Sequence, residues 1–135
     1  MSVARALLIA LVSCSSPAES DSRLAFEYTG PFTADGEVEA AAAVVSTGTV
    51  VAVSGVFTSP TPCYELAGSL HAAGDEILLL VRALGTGGDC PASPAVFEYE
   101  ATIVELDPGS YTFAVHHRTA SQDTRTILEQ PLSIQ

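Results

Sequence analysis

The chain has 135 residues and a formal net charge of -11, with sixteen acidic side chains against five Arg, no Lys and no Trp. That length suits one ordinary domain, and a second would be cramped. Binding a phosphate backbone or an anionic membrane surface requires clustered cations, and Arg5, Arg23, Arg82, Arg118 and Arg125 are scattered along the chain. Nucleic-acid partners and a polybasic membrane-surface mode are therefore disfavoured.

Met1 to Arg5 carries one positive charge, Ala6 to Val12 is an unbroken apolar run, and Ser13, Cys14, Ser15, Ser16 and Pro17 end it. A charged start, a short apolar core and small residues make a secretory signal, because seven apolar residues rise only about 10 Å as a helix against a bilayer core near 30 Å. Leu11-Val12-Ser13-Cys14 resembles the lipobox of bacterial lipoproteins. The resemblance implies diacylglyceryl transfer to the Cys14 sulfur, cleavage after Ser13 and acylation of the new amine. It also implies a membrane partner through that anchor, with Ser15 after the Cys favouring the outer membrane where the organism has one. Cysteine arithmetic agrees: three Cys leave one over in an oxidising compartment, and lipidation of Cys14 leaves Cys63 and Cys90 as a pair. The expected domains are a signal peptide over 1–13, a lipidated Cys and flexible tether over 14–22, and a single domain over 23–135. The tether, rich in Ser and acidic residues, has no apolar pattern.

Beyond the tether the dominant period is two. Leu24, Phe26 and Tyr28 alternate with Ala25, Glu27 and Thr29 until Gly30-Pro31. Thr49 to Thr58 is rich in Val. Tyr64 to Leu70 alternates again, and Ala73-Gly74-Asp75 turns into Ile77 to Leu84, apolar on both faces and so expected as a central, buried strand. Phe97 to Val104 and Tyr111 to His117 alternate, and Thr124 to Ile134 carries Pro131, which suits an edge strand. Glu37 to Val45 holds four consecutive Ala, good helix formers, yet it follows Asp35-Gly36 and runs into Val-Val. It reads as a strand hairpin-paired with Val50 to Val56, with a short helix as the alternative. The fold class expected is all-β, an antiparallel Greek-key sandwich of about seven strands behind a signal helix and a short tether.

Leu106-Asp107-Pro108-Gly109-Ser110-Tyr111 matches L-x-P-G-x-Y and resembles the tyrosine corner of fibronectin type III and other immunoglobulin-like sandwiches. Leu106, Pro108, Gly109 and Tyr111 carry the resemblance. It implies that 95–106 and 110–118 lie in different sheets, with the Tyr111 hydroxyl bonded back to upstream backbone. The chain departs from antibody-type domains in having no Trp and no Cys pair on the usual strands. Cys63 opens a strand after a Pro-rich turn, and Cys90 sits in the Gly85 to Pro94 loop. Without C-x-x-C spacing the pair reads as a structural bridge, closing about 28 residues and stabilising by roughly 3.6 kcal/mol in the chain-entropy model.

Catalytic signals are thin. His116 and His117 are adjacent in a strand and point to opposite faces, so they cannot chelate one ion together, and His71 could add at most a second imidazole. Glu98 and Glu100 share a face roughly 7 Å apart, a separation that suits an inverting glycosidase, but no cleft is indicated by the sequence. Gly85-Thr86-Gly87-Gly88-Asp89 leads into Cys-Pro and not into a helix, unlike a phosphate-binding loop. Asp35, Asp75, Glu76 and Asp107 stand at turns without EF-hand spacing. The expectation is a non-enzymatic lipoprotein without metal or cofactor, a binding or structural module of the cell envelope whose ligand is a protein, peptide or glycan. A secreted-side inhibitor or immunity-type lipoprotein using the bridged 85–94 loop is the first alternative, and a small metal-binding protein or enzyme the second.

Overall fold

A computed structural model describes residues 22–34 and 36–135. The signal segment, the lipidation site Cys14, nearly all of the tether and Asp35 lie outside the described residues. The chain forms eight strands: β1 (Leu24–Thr33), β2 (Ala41–Thr47), β3 (Val50–Ser59), β4 (Tyr64–Ala73), β5 (Glu76–Gly85), β6 (Ala95–Ile103), β7 (Gly109–Arg118) and β8 (Thr124–Ile134). They make two four-stranded sheets, with order β1-β6-β3-β2 in sheet A and β4-β5-β7-β8 in sheet B. The architecture is all-β and compatible with a sandwich.

The Ala-rich segment is strand β2. It pairs residue by residue with β3 from Ala41↔Val56 to Thr47↔Val50, closing on Gly48 at φ 62°. Ala42 and Val44 turn half-buried toward the core while Ala41, Ala43 and Val45 face out, so pairing against β3 overrides the helix preference of alanine. Pro131 stands on β8, at the edge of sheet B, where its missing N–H costs no ladder bond.

One pairing departs from the expected antiparallel pattern. β5 and β7 run parallel, from Glu76↔Thr112 to Arg82↔Arg118. The intervening β6 belongs to the opposite sheet, so the chain crosses over and returns in its original direction, the long connection that parallel neighbours require. The corner between β6 and β7 carries the L-x-P-G-x-Y residues. There Leu106 is buried, Gly109 sits at φ 153°, and the Tyr111 hydroxyl donates to the Asp107 carbonyl at 2.6 Å.

The core follows from the alternation. Val51, Val53 and Phe57 of β3 and Phe97, Tyr99, Ala101 and Ile103 of β6 meet Ile77, Leu79 and Val81 of β5 and Phe113 and Val115 of β7. β5 is buried on its inner face, and its outward Leu80 is covered as well, as its doubly apolar sequence leads one to expect. Two glycines make room for aromatic rings. The Tyr99 ring lies against Gly55, its cross-strand partner, where any Cβ would collide with it, and a Cβ on Gly68 would stand 2.6 Å from the Phe26 ring.

Cys63 and Cys90 form a disulfide with Cα atoms 5.8 Å apart. Thr86 reinforces it, donating both its backbone N–H and its hydroxyl to the Cys63 carbonyl, each at 3.2 Å. The 86–94 loop is thus fastened to the turn ahead of β4.

Candidate functional site

A groove of about 570 Å³ runs over the outer face of sheet A. Period-two alternation builds it. On β1 and β6 the inward residues are Phe26, Tyr28, Phe97 and Tyr99, which leaves Glu27, Thr29, Glu98 and Glu100 on the exposed face. On β3 and β2 the same rule exposes Ser54, Ala43 and Ala41, with Val56 half-buried among them. Strand register then sets these residues in two rows. Glu27, Glu100, Ser54 and Ala43 lie across the sheet in one row, and Thr29, Glu98, Val56 and Ala41 in the next. Carboxylates stand at the β1–β6 end of the rows, Glu27 and Glu100 in one and Glu98 in the other, and uncharged Ser54, Ala43, Val56 and Ala41 at the β3–β2 end.

Glu27 and Glu100 are direct cross-strand partners, a like-charge arrangement that works against pairing. None of the four strands of sheet A contains Lys, Arg or His, so no neighbour within the sheet offsets it. Glu98 and Glu100 were legible as a same-face pair in the sequence. The cleft they occupy was not, nor was Glu27 as their companion, because both depend on β1 lying beside β6 in one particular register.

A second polar feature lies inside the sandwich. His117 on β7, 4% exposed, shares a 2.7 Å hydrogen bond through Nε2 with the Tyr99 hydroxyl on β6, joining the two sheets through their core. The imidazole packs at 4.9 Å between ring centroids on Phe57. Burial, aided by the nearby Arg125 guanidinium, lowers the His117 pKa from 6.5 to about 4, and burial raises that of Tyr99. Both are neutral at pH 7, and both side chains are buried between the sheets. The pair is a core contact.

The remaining sequence candidates are only partly gathered. His116 and His117 do face opposite sides of sheet B. His71 and His116 line a smaller groove of about 290 Å³ on its outer face together with Glu76 and Glu129. Leu78 of β5 separates His71 from β7, however, and each imidazole meets a hydroxyl instead: Ser69 Oγ at 3.4 Å from His71 and Thr126 Oγ1 at 3.2 Å from His116. Asp75 contributes its carbonyl to the Thr112 N–H, and Asp107 its carbonyl to Tyr111. Among the described residues, no group of three or more His, Cys, Asp or Glu is arranged to hold a metal ion. No helix among them is long and apolar enough to cross a membrane.

No known protein family, curated protein or solved structure matches this chain.

Proposed function

We propose that the chain is a lipid-anchored binding module of the bacterial cell envelope, non-catalytic, with the outer face of sheet A as its ligand seat. The observation that carries the binding role is the solvent-open groove on that face, floored by Ala41, Ala43 and Ser54 and walled by Glu27, Glu98 and Glu100. Sites for bound partners combine such concavity with a few placed polar groups. The anchor rests on Leu11-Val12-Ser13-Cys14 and on the cysteine pairing. With Cys63 bonded to Cys90, Cys14 is the remaining cysteine, and a disulfide fits an oxidising, extracytoplasmic compartment. The immunoglobulin-like resemblance enters only through the β6–β7 corner, and it carries no functional weight.

A second reading, the inhibitor or immunity-type lipoprotein, is favoured by the exposed Pro91 to Pro94 stretch beside the bridged Cys90. A loop fastened in this way loses less freedom on binding. The two readings place the contact on different surfaces. A photo-crosslinking residue introduced in the full chain at Ala43, at Ser93 or at Thr124 on sheet B, and activated in the native cells, separates them. The first reading requires a discrete adduct from Ala43 in the membrane fraction and none from Thr124. Adducts from Ser93 alone favour the loop, and equal yields from all three positions overturn both.

A further inference from the structure

We infer that the partner presents a basic, extended polypeptide segment to the sheet A groove, an inference that rests on this groove being the ligand seat. Shape and charge contribute separately. The groove follows the sheet, and its floor of short side chains lets a ligand backbone approach closely. Along β6, Glu98 and Glu100 are two residues apart, roughly 6.8 Å in a strand, and an extended ligand repeats its same-side residues at the same interval. Lysine or arginine at alternate positions of such a segment would therefore meet Glu98 and Glu100 in turn, with Glu27 beside the latter.

The charge fixes the sign of the ligand. Glu27 and Glu100 face each other across the strands in a sheet whose own strands hold no basic residue, and a cation between them turns a repulsive pair into two attractive contacts. The chain as a whole, at -11, draws basic segments toward it and repels anionic glycans and acidic peptides.

The test uses a fluorescein-labelled peptide of alternating lysine and alanine, seven residues long, and its glutamate counterpart, titrated with the full chain at low ionic strength and read by anisotropy. Two variants carry equal changes of charge: Glu27→Gln with Glu98→Gln and Glu100→Gln on sheet A, and Glu65→Gln with Glu76→Gln and Glu129→Gln on sheet B. The lysine peptide should bind, the glutamate peptide should not, and only the sheet A variant should weaken binding, by at least tenfold. Equal weakening by both variants would reduce the effect to net charge and overturn the inference, as would failure of the wild-type chain to bind. Self-association of the chain that the sheet A variant alone abolishes would make a second copy the occupant and overturn it too. An adduct from Ala43 without competition by the lysine peptide would leave the seat standing while removing the basic ligand; absence of both would remove the seat as well.

Discussion

Removing both members of the Tyr99–His117 pair should cost far less than the sum of the two single removals. The two groups are 2% and 4% exposed and share a 2.7 Å hydrogen bond across the sandwich. Tyr99→Phe deletes that bond, worth about 1 kcal/mol net, and strands the His117 nitrogen without a partner, which costs a further 1–3 kcal/mol. We expect a loss of about 2–4 kcal/mol, and a similar loss for His117→Leu, which strands the hydroxyl. The double variant leaves no orphaned polar atom, so its loss should stay near that of one single change, giving a coupling of about 2–4 kcal/mol. The same histidine fixes a pH dependence. Its pKa is lowered from 6.5 to about 4 in the folded chain, so below pH 6.5 the unfolded chain takes up a proton that the native state refuses. Its contribution is complete above pH 6.5 and is lost progressively as the pH falls to about 4, by about 3 kcal/mol in all. Urea unfolding at pH 7.5 and pH 4.5 for the wild type, both single variants and the double variant measures every quantity. Additive losses, or a pH slope unchanged in His117→Leu, would refute the reasoning.

Gly55→Ala should destabilise by about 2 kcal/mol or more, because the new Cβ collides with the Tyr99 ring, and an unchanged midpoint in thermal melts would refute that collision. Cys63→Ser with Cys90→Ser should cost roughly 3.6 kcal/mol from a bridge between residues 27 apart, read as a shift in the urea midpoint, while 1H–15N spectra show the largest changes in the 86–94 loop. Tyr111→Phe should cost about 0.5–1.5 kcal/mol by removing the 2.6 Å bond to Asp107, and unchanged stability would make L-x-P-G-x-Y a simple turn.

Strand positions were legible because the core demands every second side chain. Phe97, Tyr99, Ala101 and Ile103 announce an inner face however their strand is paired. Which strands become neighbours is another matter, since a period of two is the same in parallel and antiparallel company. The parallel β5–β7 pair arises from β6 leaving for the opposite sheet, and no local residue encodes that. The groove was half legible for the same reason. Glu98 and Glu100 sit on one strand and could be grouped by counting, whereas Glu27 is 71 positions ahead of Glu98 and joins them only through the β1–β6 register. His117 shows the limit from the core side. Alternation separates it from His116, but its partner Tyr99 belongs to the facing sheet and is reached only by packing. The cysteine pair needed no geometry, because counting three cysteines and assigning Cys14 to an anchor left a single pairing.

Intact mass of the protein extracted with detergent from its native cells tests the central claim, a module tethered at the envelope by Cys14. The account predicts a chain that begins at Cys14, heavier by a diacylglyceryl group and an amide-linked acyl chain, and lighter by 2 Da for the Cys63–Cys90 bridge. An unacylated chain in the soluble fraction, with Cys14 free, would contradict it.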